Sequence, residues 1–198
     1  MNQKVKLEDT VILIDTVFYN FLVTDIKNHF EKQLNRTLEV IDLPTLTTYL
    51  SLDMGLCAGD NTVQLLWLYT KQISDLQFTK PSSLKSDLDG KAFQNEVGEF
   101  LMASVSTEDL VPIGELYVEV LQMALESENV KKIALIADYS SYKDMLNEVL
   151  SDNEEKLKEK EVIFFNIMLN AFFIVHVANI TKTMRRKTCK LLYFSTQG

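Results

Sequence analysis

The chain is short of the residues that hold small secreted or metal-stabilised domains together. Its 198 residues include two cysteines, three prolines and six glycines. Cys57 and Cys189 lie far apart and form no CxxC or Cys–His spacing, so we expect neither a disulfide nor a structural metal site. The N-terminal residues lack the apolar run of a signal peptide. We therefore expect a soluble, cytoplasmic protein that is stabilised by its hydrophobic core.

The composition is that of one globular domain with a charge asymmetry. Hydrophobic residues make up 46% of the chain, and the formal net charge is −8. Residues 179–198 carry five positive and no negative side chains, so the first 178 residues carry −13. We predict a single α/β domain over residues 1–178, followed by a basic C-terminal tail over residues 179–198.

Short apolar runs that alternate with amphipathic stretches indicate a three-layer α/β fold. Continuous rather than alternating hydrophobicity is typical of parallel strands that are covered on both faces. Strands followed by helices favour a mainly parallel sheet of five or six strands with helices on both faces. The predicted inner strands are residues 11–15, 62–69, 132–137 and 161–166, and residues 99–105 and 172–177 are further strand candidates.

Helix signals lie between these runs. Apolar spacing and capping residues predict four helices. The first covers residues 24–35 with Thr24 as its N-cap, and the second runs from Asp42 to near Gly55. The third follows a capping box at Ser106 and Asp109, and the fourth covers residues 142–157. Residues 71–91 are polar and longer than an ordinary connection. They are either a mobile loop or flap that carries function, or a tolerated surface insertion.

The C-terminal third contains an apolar run and then the basic tail. Residues 162–178 are shorter than a usual membrane span, contain two asparagines and a histidine, and are rich in strand-forming residues, so we expect strands and no membrane contact. The basic tail either folds back on the acidic body or binds nucleic acid. The nucleic-acid alternative would use the basic side chains Lys182, Arg185, Arg186 and Lys187.

Motifs of known chemistry are missing from the chain. It has no phosphate-binding glycine loop, no HExxH, no GxSxG and no zinc spacing. His29 on a predicted helix and His176 in the apolar run have no acidic or nucleophilic companion, and we interpret both as structural.

Two strand ends do carry an aspartate. Asp15 closes VILID and Asp138 closes KIALIAD, and ligands of an open parallel sheet bind at the carboxyl ends of its strands. If the strands are neighbours, Asp15, Asp138 and Asn166 of the next strand could hold Mg²⁺ or Mn²⁺. The loop residues that offer further oxygen ligands are Asp53, Asp60, Asp87 and Asp89. Alternatively, Asp15 and Asp138 cap the helices that follow them.

The segments VILIDTVFYNF and KIALIADYSSYKDML resemble strands of PIN-like ribonuclease domains, including the NYN branch. The resemblance implies a Rossmann-like, PIN-like sheet in which Asp15 and Asp138 are metal ligands. Asn166 departs from the pattern, because an acidic ligand would be favoured there. The segments GEFLMASVSTED and IALIADYSSYKD are also similar to uncharacterised bacterial protein families, and this similarity implies no activity.

Two functions remain open from the sequence. The first is a non-catalytic binding or interaction module, either a homodimer or a partner-binding domain, that makes contact through residues 71–91 or the basic tail. The second is a divalent-metal-dependent PIN-like ribonuclease or phosphodiesterase centred on Asp15 and Asp138. The first needs no cofactor, and the second needs Mg²⁺ or Mn²⁺. Convergence of the Asp15 and Asp138 carboxylates within reach of one cation, beside open solvent, would favour the enzyme, whereas their separation or burial would favour the binding module.

Overall fold

A computed structural model describes residues 6–107, 111–168 and 171–176, and for residues 166–168 and 171–176 it describes the backbone alone. The strands are β1 (Thr10–Asp15), β2 (Ile41–Asp42), β3 (Asn61–Tyr69), β4 (Thr79–Lys80), β5 (Ala92–Gln94), β6 (Gly98–Ser106), β7 (Lys132–Ile136), β8 (Glu161–Met168) and β9 (Ala171–His176). The helices are α1 (Thr16–Leu34), α2 (Leu43–Asp53), α3 (Ile113–Glu126) and α4 (Tyr139–Asp152), with a π-helical turn at Leu84–Leu88 and a 3₁₀ turn at Lys156–Lys158.

The main sheet has seven strands in the order β5-β6-β3-β1-β7-β8-β9. Its five central strands are parallel, and the edge strands β5 and β9 are antiparallel to their neighbours. The four predicted inner strands and the predicted strand at residues 99–105 are confirmed. The apolar run at residues 162–178 contributes the β8–β9 pair, and residues 177 and 178 lie outside the described residues.

Helices cover both faces of the sheet, as predicted. Alternate residues of β1 point to opposite sides, so that Ile12 packs in the core under α1 and α2 and Leu13 packs in the core under α3 and α4. Both side chains are fully buried. The molecule is therefore an α/β protein with three layers. Within the described part of the chain, no helix is long and apolar enough to cross a bilayer.

The segment from residue 70 to 97, which we call the connecting arm, takes the place of a helix between the parallel neighbours β3 and β6. It buries Leu76, Leu84 and Leu88 in the core on the α1/α2 face. Asn20 of α1 also ties it down, because its amide donates to the Asp75 carbonyl and its Oδ1 accepts from the Gln77 amide, both at 2.8 Å. Residues 71–91, which were expected to form a loop, are therefore packed against the sheet. Buried leucines at wide spacing within a polar segment hold it against the sheet.

Three helix starts differ from the predictions. Helix α1 begins eight residues before Thr24, whose hydroxyl instead donates to the Asn20 carbonyl inside the helix. Helix α4 begins at Tyr139 rather than at residue 142 and ends at Asp152 rather than near residue 157. The capping role of Ser106 is wrong, because α3 begins only at Ile113, seven residues after Ser106. Asp109 lies outside the described residues. In α1 the true N-cap is Asp15, the last residue of β1, and in α4 it is Asp138, the second residue after β7.

Candidate functional site: the carboxyl edge of the sheet

The direction in which the chain crosses the sheet reverses beside β1. Strands β3 and β6 follow on one side of β1, and β7 and β8 lie on the other side. At such a switch point the helices on either side diverge, and open α/β sheets bind ligands there. Asp15 ends β1, and Asp138 follows β7, its parallel neighbour. The sequence-predicted pair is therefore brought to one edge, at the switch point.

Asp15 is almost completely buried, with 2% of its surface exposed. Its Oδ1 accepts from the backbone amides of Val17 at 2.8 Å and Phe18 at 3.2 Å, which caps α1. Its Oδ2 accepts from the Tyr142 hydroxyl at 2.6 Å. Burial raises the pKa of Asp15, the three hydrogen bonds oppose that rise, and the nearby charge of Asp138 adds to it. Both carboxylate oxygens are thus already engaged within the protein.

Asp138 is half-buried and caps α4. Its Oδ1 accepts from the amides of Ser140 at 3.0 Å and Ser141 at 3.4 Å, and its Oδ2 accepts from the Ser141 hydroxyl at 2.6 Å. The capping interpretation of both aspartates is confirmed. Because each carboxylate occupies the first free amides of its helix, neither helix end presents those amides to a phosphate group.

Two tyrosines complete the buried side of the switch point. The rings of Tyr117 and Tyr142 lie with their centroids 5.7 Å apart, and the Tyr117 hydroxyl donates to the Leu13 carbonyl at 3.1 Å. Gly114 of α3 leaves room for Tyr142, since a Cβ at this position would be 2.9 Å from the Tyr142 ring. Burial and the contact with Asp15 raise the pKa of Tyr142. Its hydroxyl therefore stays protonated and remains a donor to Asp15.

The other proposed oxygen ligands lie elsewhere. Asp60 directly precedes β3. Asp53 ends α2, and the carbonyl of the following residue, Met54, accepts from Lys132 at the start of β7. Both aspartates therefore lie at the amino edge of the sheet. Asp87 lies in the π-helical turn, and Asp89 accepts from the Ser104 amide at 2.8 Å.

Few side-chain oxygens are therefore left at the carboxyl edge to bind a divalent cation. Among the described residues, no group of three or more His, Cys, Asp or Glu side chains is arranged to hold a metal ion. The Asn166 side chain lies outside the described residues. In this arrangement a cation at Asp15 would have to displace hydrogen bonds from Val17, Phe18 or Tyr142.

A groove that sequence reasoning missed opens beside α1. Its volume is about 440 Å³, and its lining consists of Val17, Asn20, Phe21, Thr24, Asp25, Asn28, Ile73 and Gln77. Phe21 is 66% exposed, the largest exposure among the exposed large hydrophobic residues of the described chain. The groove lies toward the carboxyl edge, because α1 starts where β1 ends and Ile73 follows the end of β3. The late predicted start of α1, at residue 24, hid this face.

The remaining sequence candidates add nothing to this edge. His29 is half-buried on α1 and contacts the ring of Phe30, which agrees with a structural role. The side chain of His176 and all of the basic residues from Lys182 to Lys190 lie outside the described residues.

Comparison with known proteins assigns the chain to a family. No curated protein and no solved structure matches it. A family model described as "Family of unknown function (DUF6621)" matches residues 4–173, which is most of the chain. The chain is therefore a member of the DUF6621 family.

Proposed function

We propose that this protein is a non-catalytic binding module whose binding surface lies at the carboxyl edge of a Rossmann-like sheet. The observation that carries the proposal is the state of Asp15. A metal ligand or a catalytic carboxylate must present a free oxygen to its target, and Asp15 is buried with both oxygens bonded to the protein. Its role is to join β1, α1 and α4, which is a structural role.

The chemistry of the edge supports binding to a partner more than turnover of a phosphate ester. The first amides of α1 and α4 are occupied by Asp15 and Asp138, so the usual phosphate-binding positions are taken. The groove beside α1 has apolar walls at Val17, Phe21 and Ile73. Such a surface suits an apolar side chain of a peptide or protein partner.

The proposal is tested by calorimetric titration of the protein with Mn²⁺ and by incubation with fluorescent single-stranded RNA. We expect no binding heat at low-millimolar Mn²⁺ and no cleavage. The matched variants are Asp15→Asn and Asp138→Asn, which remove charge and keep side-chain volume. Metal-dependent cleavage by the wild type that either variant abolishes would refute the binding module.

The second candidate is a PIN-like, divalent-metal-dependent ribonuclease. The strand order and the pairing of β1 with β7, which brings Asp15 and Asp138 within electrostatic influence of each other, favour it. This function requires Asp15 to exchange its bond to Tyr142 for a cation. The same titration separates the two candidates, because a ribonuclease binds Mn²⁺ and loses that binding in Asp15→Asn.

A further inference from the structure

We infer that a second interaction surface lies on the α3/α4 face of the sheet, where β6 and one side of α3 accommodate a basic, amphipathic helix of a partner protein. This surface is separate from the groove beside α1. The groove is lined by α1 and the connecting arm, which pack on the opposite face of the sheet. The inference therefore goes beyond the proposed function and does not depend on that groove.

Strand β6 is fully buried on one of its faces only. It is parallel to β3, and parallel strands are normally covered on both faces. Phe100 is buried in the core on the α1/α2 face. The residues that point the other way are exposed or half-buried, and they are Glu99, Leu101, Ala103 and Val105. Val105 is 39% exposed, whereas Leu66, the β3 partner of Ala103, is buried. Within the described part of the chain, this face of β6 lacks the cover that β3 has.

One side of α3 borders this face of β6. Helix α3 packs on β1 and β3, and α4 lies beside it on the side of β7 and β8. Gln122 points toward α4, because its Oε1 accepts from Asn153 at 2.7 Å. The opposite side of α3 therefore points toward β6, and its apolar residues follow helical spacing at Leu116, Val120 and Met123. Met123 is 43% exposed. The exposed face of β6 and this side of α3 form what we call the β6–α3 surface.

The β6–α3 surface has room for one helix beside α3. Neighbouring strands lie about 4.8 Å apart, and packed helices lie about 10 Å apart. A helix next to α3 is thus displaced by about two strands, which places it over β6 and the edge strand β5. There β5 presents the small, exposed side chain of Ala92 opposite Leu101. A partner helix at this position would continue the helical layer formed by α3 and α4.

The charge of this part of the chain selects the class of partner. Residues 92–130, which include β5, β6 and α3, contain eight acidic side chains and no lysine, arginine or histidine. Glu99 lies on the exposed face of β6, and Glu119 is exposed on α3 one turn before Met123. Nucleic acids and anionic membranes are repelled by an acidic surface, and a second copy would bring like charges together. A helix with basic residues beside an apolar stripe has the complementary chemistry.

Three lysines lie near the ends of these strands and leave the surface acidic. Lys6 is paired with Glu8 at 3.4 Å. Lys71 follows the carboxyl end of β3. Lys91 precedes β5 and alternates with Ala92, so it lies on the same side as Phe93, whose ring stacks on Phe100 at the α1/α2 face.

Two labelled synthetic peptides test the inference on the full-length protein by fluorescence anisotropy. Both are amphipathic helices with the same leucine stripe, and the polar face carries lysine in one and glutamate in the other. We expect the lysine peptide to bind roughly tenfold more tightly than the glutamate peptide, and added salt to weaken its binding. Met123→Ser should weaken the binding of the lysine peptide at least threefold. The control is Leu52→Ser, which removes an exposed leucine of α2 on the opposite face and should leave the affinity unchanged.

A second pair of variants tests the charge. Glu119→Gln should weaken the lysine peptide and reduce its salt dependence, whereas Glu39→Gln, at an exposed residue before β2, should change neither. Val105→Ser should act as Met123→Ser does, and circular dichroism should show that all variants stay folded.

The outcomes that would overturn the inference are distinct. They are equal binding of the two peptides, binding of neither, and equal responses to Met123→Ser and Leu52→Ser. Self-association of the wild type in sedimentation velocity, abolished by Val105→Ser, would also overturn it, since a second copy would then occupy the surface. None of these results depends on the metal and RNA assays, so the two proposals fail separately.

Discussion

Replacing Tyr142 with phenylalanine removes one hydroxyl from the contact that holds α4 to the end of β1. The ring remains, so no cavity forms, and the change isolates the 2.6 Å hydrogen bond to Asp15 Oδ2. A hydrogen bond to a charged group contributes roughly 1.5–3 kcal/mol. Because Asp15 is only 2% exposed, water does not replace the lost donor. We expect Tyr142→Phe to lower the free energy of unfolding by about 2 kcal/mol at pH 7.5.

The loss should depend on pH. The folded-state pKa of Asp15 lies above its ordinary value of 3.8, so ionisation of this group already reduces stability as the pH rises from near 4 through the folded-state pKa. Removing the Tyr142 hydroxyl takes away a bond that lowers this pKa, and the pKa rises further. The cost of Tyr142→Phe should therefore be larger at pH 7.5 than at pH 4.5, where more of Asp15 is protonated.

Urea unfolding followed by tryptophan fluorescence measures both effects, because the chain has a single tryptophan, Trp67, which is 1% exposed in the core. Tyr139→Phe is the control, because it removes a hydroxyl from a more exposed tyrosine of the same helix. The Tyr139 hydroxyl makes no hydrogen bond to the described residues, so this change should leave the free energy of unfolding nearly unchanged. Equal destabilisation by Tyr142→Phe at the two pH values, or none at either, would refute the reasoning about a buried ionised carboxylate.

Three other changes test the packing and the caps. Gly98→Ala should cost far more stability than Gly90→Ala in thermal unfolding: both glycines have positive φ, but only at Gly98 would the new Cβ lie 2.1 Å from the Asn61 carbonyl oxygen. Asp138→Ala should cost about 1 kcal/mol in urea unfolding through loss of the α4 cap, and an unchanged midpoint would contradict that role. Asn20→Ala should speed hydrogen exchange at the start of the connecting arm by at least tenfold while central strands stay protected; uniform protection would show that the leucines alone hold the arm.

The two capping aspartates could be predicted from local sequence pattern. Asp15 and Asp138 were both identified from their place after apolar runs, and both the capping role and the adjacency of their strands are confirmed. The start of α1 was missed because Thr16 and Val17 are β-branched and the residues around them are aromatic, which weakens the helical signal. The cap at Asp15 and burial of Tyr19, Leu22 and Val23 against the core override that preference.

The connecting arm shows the opposite case. Its polar residues indicated a loop, and no periodicity within residues 71–91 marks Leu76, Leu84 and Leu88 as a buried set. The three leucines share one buried environment because the arm crosses the sheet between β3 and β6. Hydrogen bonds from Asn20 hold the first residues of the arm in that position. Spacing along a chain identifies a buried face only when the backbone has a regular period.

The buried strands, the α/β class and the two aspartates at strand ends could be predicted from the sequence, because each depends on contiguous residues. The role of those aspartates depends on contacts between segments that are distant in the chain. Tyr142 lies 127 positions from Asp15, and its hydroxyl turns a candidate ligand into a buried, fully bonded carboxylate. The groove likewise exists only because α1 and the connecting arm meet at the same edge. Contacts between distant segments depend on how the layers pack, and no local pattern encodes that geometry.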